Sequence, residues 1–460
     1  MKSKWADDEQ DAADAARRKQ EKEEKKRAKA EKQRRLEQEQ ARAQQATADI
    51  ASQDGSGRPT KRRRLSNEAQ TSTPSEGTTP LLRFDTGSWT PSRSILDFET
   101  LNPIEEGTYG YVSRARDRTS NTIVALKKMK LDGASSYGIP VTCLREIQTL
   151  QRARHKHIIA LHEIITGAST TSPLVPDIYL VMEFASHDLK SLLTTMPTPF
   201  TPSETKSLLH QLTSALAHLH SHSILHRDLK TSNILLLSSG RLKLADFGMA
   251  RFTTSPPPAN LTALVVTLWY RAPELLLGAR EYGPEIDVWS LGCVFAELLG
   301  GGEAVMQGRN EVDQLGKIFE LVGLPNEKSW PGWRRLPNAR TLKVPSRTGE
   351  GQAEKGKLKD LFGALTRNGR ALLDGMLALD PGRRPTAEEV LEHEYFAEDP
   401  KMKREEMFPS FPSKAGGERR RKRDTPEAPG RGGNGKVDFS GLFTGKEDTG
   451  GSGGFQLKTG

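Results

Sequence analysis

Large apolar side chains are almost missing from the first stretch of the chain. Between Met1 and about Ile50, Ala, Gln, Glu, Lys and Arg follow one another with no face to bury. That segment is expected to be a solvated single helix, supported by pairs such as Glu21 with Lys25, or disordered. Residues 51 to 92 turn to Ser, Thr, Gly and Pro and read as a linker. From Phe98 the pattern changes. Two-residue alternation dominates to about Met182, interrupted by one apolar-periodic run, Leu144 to Leu150, that predicts a helix. After Asp188 helical periods take over: Leu208 to His220 is amphipathic, and Leu291 to Leu299 is apolar enough for a buried helix. This change of period predicts an α+β fold of two lobes, a small β-rich one with one main helix and a larger helical one, with a cleft between them. The expected organisation is a charged, disordered region over 1–97, one folded domain over 98–396, and a disordered basic and Gly-rich tail over 397–460. Thr166 to Asp177 and Pro325 to Gly356 read as exposed loops. There is no internal repeat.

The candidate chemistry lies where the helical lobe begins. His226-Arg227-Asp228-Leu229-Lys230-Thr231-Ser232-Asn233 is followed, thirteen residues after the Asn, by Asp246-Phe247-Gly248. An acid near an acceptor hydroxyl, a Lys and two metal-ligand candidates in one short stretch are the parts that phosphoryl transfer needs, because that reaction depends on positioning and charge neutralisation. Upstream, Ile104-Glu105-Glu106-Gly107-Thr108-Tyr109-Gly110-Tyr111-Val112 reads as strand, glycine turn and strand. Gly107 and Gly110 would let backbone approach phosphate oxygens. Lys127, in Val124-Ala125-Leu126-Lys127, is placed to contact those phosphates, and Glu146 on the predicted helix is its matching anion. A dinucleotide-binding turn is excluded, since the flanks read strand to strand and Glu105 stands where the first glycine would be.

Several further residues read as regulatory or structural. Arg145, Arg227 and Arg251 together could clamp one phosphate, with Thr262 as its carrier and an ordered loop as the consequence. Pro256-Pro257-Pro258 excludes regular helix from that loop. Glu274 is expected to pair with Arg384, and Asp287 to start a buried helix and accept hydrogen bonds from the catalytic-loop backbone.

On these motifs residues 98 to 396 resemble a eukaryotic protein kinase of the cyclin-dependent group, most of all through Val265-Val266-Thr267-Leu268-Trp269-Tyr270-Arg271-Ala272-Pro273-Glu274. Gly138-Ile139-Pro140-Val141-Thr142-Cys143-Leu144-Arg145-Glu146 is similar to the PITSLRE branch, with Val for Ile and Cys for Ser; so are the run from Glu105 to Gly110 and Met407-Phe408-Pro409-Ser410-Phe411-Pro412. The sister PISSLRE branch is the near alternative. The resemblance implies a bilobal kinase fold and a Ser/Thr protein kinase that uses ATP and Mg²⁺. Asp228 would be the base, Lys230 would touch the γ-phosphate, and Lys127 and Glu146 would complete the catalytic set. Asn233 and Asp246 would hold the metal. Ile104, Val112 and Ala125 would cover the adenine, Leu235 would floor it, and Met182 would guard the back. Glu183 and Ala185 would offer hinge backbone groups, with Asp188 beside the nucleotide. Thr108 and Tyr109 match an inhibitory phosphorylation pair. Val266 and Thr267 would line a pocket for the proline of Ser/Thr-Pro substrates. A cyclin, of the L type, is the implied partner, and transcription, splicing or cell-cycle control the implied role. A catalytically silent scaffold is the competing reading, against which the intact set of Lys127, Glu146, Asp228, Asn233 and Asp246 argues.

Two cysteines, Cys143 and Cys293, provide neither a disulfide framework nor a zinc set. No apolar segment approaches the roughly 20 residues that cross a bilayer, and Lys2, Lys4, Asp7, Asp8 and Glu9 do not resemble a secretory signal. A soluble protein with no membrane association is expected. Lys61-Arg62-Arg63-Arg64 and Arg419-Arg420-Arg421-Lys422-Arg423 read as import signals, placing the protein in the nucleus, with the cytoplasm as a second compartment. The net charge of +9 is spread over tails and core with no aromatic RNA-binding pattern beside it, so a direct nucleic-acid ligand is not indicated.

Overall fold

The computed structural model describes residues 92–107, 110–131, 139–167, 176–254, 261, 266–342, 356–409 and 411, all within the unit Gly87–Gly460. Thr108, Tyr109 and Thr262, Pro256 to Pro258, both basic clusters and most of the two tails lie outside the described residues.

Strands β1 (Phe98–Glu106), β2 (Gly110–Asp117), β3 (Ile123–Met129), β4 (Leu161–Gly167) and β5 (Asp177–Glu183) form an antiparallel sheet in the order β1-β2-β3-β5-β4. Alternation along β3 explains how the sheet serves two purposes. Val124 and Leu126 join Phe98, Ala115, Ile165 and Val181 in a small core on one face. Ala125 belongs to the main core with Met182 and with Cys143 and Leu150 of helix α1 (Val141–Arg152), and Lys127, two residues along, shares its face. Arg93 ties the preceding segment to the sheet through Asp117 (2.7 and 3.1 Å) and Glu163 (3.0 Å). That fork holds the Asp117 carboxyl well below the usual carboxylate range.

Past the hinge, β6 (His187–Asp188) leads into α2 (Leu189–Thr195), followed by the long α3 (Pro202–Ser221). Helix α3 begins six residues before Leu208, because Thr201 and Glu204 cap each other's backbone and Pro202 fits the first turn. A small sheet β6-β8-β9 contains β8 (Ile234–Leu236) and β9 (Leu242–Leu244), and β7 (Ile224–Leu225) pairs with β10 (Arg251–Phe252). After α4 (Pro273–Leu276), helix α5 (Glu285–Leu299) is buried from Ile286 to Leu298; α6 (Glu311–Val322), α7 (Leu358–Leu361), α8 (Arg367–Met376) and α9 (Ala387–Leu391) complete the lobe.

One expectation needs correction. The segment after Pro325 is not an exposed excursion where it is described. Trp330, Trp333, Ala339 and Leu342 are buried in the main core, and Asn338 hydrogen-bonds the backbone of Leu276 and Leu277. Apolar anchors outweigh the Pro and Gly content there. Beyond residue 396 the described chain, residues 397–409 and Phe411, continues along the domain with Phe408 buried. Both cysteines are buried; burial pushes the Cys143 thiol up to about 11 and that of Cys293 higher still, which makes them inert. Among the described residues no helix is long and apolar enough to cross a membrane.

Candidate active site

Three residues of the site have left-handed backbone without being glycine: Arg227 (φ 63°), Asp246 (φ 62°) and Val266 (φ 66°). Such conformations cost about 1–3 kcal/mol each and persist only where neighbours impose them. At Arg227 the neighbour is Asp287, fully buried on α5, whose two oxygens accept from the backbone N–H groups of His226 and Arg227 at 2.8 Å each. His220 Nε2 adds a contact at 3.1 Å. Burial alone would raise the Asp287 pKa, but the hydrogen bond from His220 and the surrounding donors outweigh it, and the net shift is downward. The catalytic loop is thus fixed to the core of the large lobe by one carboxylate.

Asp228 is held on both oxygens. Oδ1 accepts from the Thr267 hydroxyl (2.7 Å) and backbone (3.2 Å), while Oδ2 accepts from Lys230 Nζ (2.8 Å) and Asn233 Nδ2 (3.0 Å). Lys230 also donates to Thr267 Oγ1 at 2.9 Å, closing a triangle of Asp, Lys and Thr. The arrangement orients the carboxylate, whose acceptor sites, about four in all, are each engaged by a donor, so an incoming hydroxyl has to take the place of one of them.

Lys127 lies 2.5 Å from Glu146 Oε1 and 3.1 Å from Asp246 Oδ1. Burial alone would lower its pKa; the Asp246 and Glu146 carboxylates overcome this, so Lys127 stays a cation. Glu146 is raised by its burial, and among the described residues its Oε2 accepts no hydrogen bond. Asp246 is held down to about 2, Lys127 outweighing the cost of burial. Asn233 and Asp246 supply a neutral amide oxygen and an ionised carboxylate. This is a donor set suited to a hard divalent cation that takes its other ligands from phosphates and water. Among the described residues no group of three or more His, Cys, Asp or Glu forms a self-sufficient metal cage, and a phosphate-completed site does not require one.

Of the residues that the resemblance puts around adenine, Ile104, Val112 and Leu235 are half-buried, while Ala125 and Met182 are buried. The Glu183 N–H donates to Ala160 O (3.0 Å), so any contact of Glu183 with adenine must come from its carbonyl. Asp188 Oδ1 is occupied as the cap of α2, accepting from Ser191 N–H at 2.7 Å. The glycine turn is drawn together by Gly107 N–H on Gly110 O (2.9 Å) and by Lys130 on Gly107 O (2.8 Å). Gly110 is required for a reason absent from the sequence reading: a Cβ there would collide with the Lys128 carbonyl. Glu105, Glu106 and Tyr111 are exposed on the strands.

Val266 O is turned away from the cleft and accepts from Arg271 Nε (3.3 Å) and Nη2 (3.0 Å), while Arg271 Nη1 meets Glu311 at 2.7 Å. Glu274 and Arg384 form a buried two-pronged pair at 2.6 and 2.7 Å. Of the three arginines expected to clamp a phosphate, Arg227 is engaged by Met249 O (2.8 Å) and the Tyr282 hydroxyl (3.1 Å). Arg251 sits in β10 opposite Leu225, two residues before Arg227, and Arg145 is half-buried on α1. Burial raises the Tyr282 pKa, and Arg227 and Arg251 both pull against that rise. Their charges therefore share one neighbourhood.

Sequence reasoning missed the layer beneath the catalytic loop. Glu297, buried on α5, accepts from Tyr270 (2.6 Å), Thr231 (3.0 Å) and Lys190 (3.2 Å). A carboxylate inside the apolar run from Leu291 to Leu299 was the signal that could have found it.

The protein kinase domain family matches residues 98–396. Serine/threonine-protein kinase ppk23 of Schizosaccharomyces pombe is 49% identical over 329 residues, covering 72% of this chain and 79% of its own length. Cyclin-dependent kinase 11B of Mus musculus is 46% identical over 338 residues, 73% of this chain but 41% of its own. Serine/threonine-protein kinase PITSLRE of Drosophila melanogaster is 42% identical over 387 residues, 80% of this chain and 40% of its own. The chain thus spans about two fifths of the length of the latter two.

Proposed function

This chain belongs to the protein kinase family, among the cyclin-dependent Ser/Thr kinases of PITSLRE type, and on that premise we propose that it phosphorylates Ser or Thr followed by Pro in nuclear proteins, from ATP held with Mg²⁺. When bound, the metal ion neutralises phosphate charge and orients the terminal group; Asn233 and Asp246 would hold it. Lys127, fixed by Glu146, offers its cation to the phosphates. Asp228 accepts the proton of the acceptor hydroxyl as that oxygen bonds to the γ-phosphorus and the bond to the ADP oxygen breaks. Lys230, seated on Asp228 and Thr267, carries positive charge to the terminal phosphate.

The observation that carries the Ser/Thr-Pro reading is Val266. Its left-handed backbone gives its carbonyl to Arg271, so nothing at that position accepts an N–H from the residue after the phosphoacceptor. Proline has none to satisfy. Any other residue would lose about 1–3 kcal/mol through an unpaired buried N–H. Partner binding finds support at the start of α1, where Ile139, just before the helix, and Val141 and Leu144, on the helix that holds Glu146, are exposed by 39%, 58% and 48%. An apolar surface on an element that positions a catalytic residue fits a cyclin, one of the L type by resemblance, acting through that helix. The two basic clusters support nuclear import, and the group's roles in transcription, splicing or the cell cycle are the context proposed.

The test is a pair of peptides differing only in Ser-Pro against Ser-Ala, offered to the chain co-purified with its cyclin. The Ser-Pro peptide is expected to have a kcat/KM about tenfold higher or more. Equal values would remove the pocket.

A further inference from the structure

The family match ends at Phe396, yet residues 397–409 and Phe411 are strapped across the large lobe at a series of points. Lys206, buried on α3, donates to the carbonyls of Glu398 (3.0 Å) and Pro400 (2.9 Å) and lies 4.5 Å from the centre of the Tyr395 ring. Lys403 donates from its backbone to Ser203 O (3.1 Å) and from Nζ to Glu204 (2.8 Å). Glu405 then takes Arg241 at 2.9 Å in the turn between β8 and β9. There Gly240 (φ 78°) lies so close beneath that a Cβ would collide with Glu405 O and the Phe408 side chain. Phe408 and Phe411 both pack edge-on against Phe200, at 6.5 and 6.3 Å between ring centres. Phe411 also meets the ring of His187 at 6.1 Å, and its carbonyl lies 3.3 Å from His187 Nε2.

These end points matter because of what they grip. His187 and Asp188 form β6, which pairs with Leu236 and Leu235 of β8, and β8 pairs with β9. The three strands have two, three and three residues. A sheet that short has few ladder bonds and depends on what packs against it. It nevertheless carries the nucleotide site: Asn233 precedes β8, Leu235 lies on it, and Asp246 follows β9 by two residues. The strap holds the sheet at its β6 edge through Phe411 and at its β8–β9 turn through Glu405 and Phe408.

We propose that residues 398–409 with Phe411 are a built-in brace that positions the floor and metal side of the nucleotide site, with Glu405, Phe408 and Phe411 as positioning residues. The inference rests on the kinase reading above. None of the three touches the catalytic residues, so loosening the brace should weaken nucleotide binding and leave the transfer step itself intact.

The full chain with its cyclin is compared with the double substitution Phe408→Ala/Phe411→Ala and the milder Phe408→Leu/Phe411→Leu. Expected for the Ala pair is a KM for ATP about fivefold higher or more, with kcat at saturating ATP within about twofold and the peptide KM unchanged; the Leu pair recovers most of the loss. Titration calorimetry with Mg-ATP should show Kd moving in parallel. Should the Ala pair fail to fold, Lys403→Ala/Glu405→Ala loosens the strap from its solvent side, and amide exchange in β6 and β8 should quicken. An unchanged Kd and KM, or a fall in kcat alone, would overturn the brace. A wild-type chain that binds Mg-ATP but transfers no phosphate would count against the kinase reading, while Kd still decides the brace.

Discussion

The Asp228 Oδ1 and Thr267 Oγ1 atoms lie 2.7 Å apart, joining residues thirty-nine positions apart in the chain. Thr267 belongs to the segment that ends at Glu274, so the order of that segment reaches the proposed base directly through one hydroxyl. Lys230 on the same hydroxyl at 2.9 Å makes the contact three-way.

Loss of that hydroxyl should therefore reduce the rate rather than binding. Hydrogen bonds to charged groups contribute about 1.5–3 kcal/mol, so Thr267→Ala is expected to lower kcat about 10- to 100-fold with little change in the KM for ATP. Thr267→Ser should retain most of the activity. Steady-state kinetics on a Ser-Pro peptide checks both, and an Ala variant at the wild-type rate would remove the link.

The Glu274–Arg384 pair should behave as a structural fastener. Both partners are buried and the guanidinium fork is fully used, with further bonds to Ala378 O (2.9 Å) and Glu285 O (3.0 Å). Removing one partner leaves the other charge buried and alone, a loss of about 3–5 kcal/mol. Arg384→Met should lower the unfolding midpoint strongly in urea titration. A change within experimental scatter would contradict the assignment.

How much of this the sequence showed depended on contiguity and period. Asp228, Lys230, Asn233 and Asp246 stand in two short motifs, and Lys127 and Glu146 lie on a strand and a helix whose periods announce them. Thr267 was noted for a substrate pocket, but its bond to Asp228 has no local signature. The partners of Phe408 and Phe411 are Phe200 and His187, some two hundred positions earlier, and no periodicity connects such distant residues. The start of α3 is written in the caps Thr201 and Glu204, ahead of Leu208 where the apolar pattern begins. Around Trp330 and Trp333 the Pro and Gly content signals a loop, while the two buried indole side chains decide the packing.

Acid should weaken the fold through a pair of histidines outside the site. Burial lowers the pKa of both His155 and His157 from about 6.5 to about 4. His157 is buried against Leu242 O (3.2 Å), and His155 stacks on His218 at 5.0 Å. Lys156, Lys243 and Glu405 are the charges nearby. Between those two pH values the unfolded chain binds more protons than the folded one. Stability is therefore full above about 6.5 and falls as pH drops toward 4, with a steepest slope of about 1.4 kcal/mol per pH unit for one imidazole. Thermal unfolding across that range should show the decline, and His157→Gln should make it shallower. A flat profile would contradict it.

The central claim is that Asp228 takes the acceptor proton in a cleft that binds nucleotide and metal independently of it. Single-turnover transfer of phosphate from Mg-ATP to a Ser-Pro peptide, measured for the wild-type chain and for Asp228→Asn with its cyclin, tests this most directly. A positioned base contributes about 10²- to 10⁴-fold, so Asp228→Asn should transfer at least about 100-fold more slowly while binding Mg-ATP with nearly the wild-type Kd. Transfer by Asp228→Asn at the wild-type rate would contradict the account.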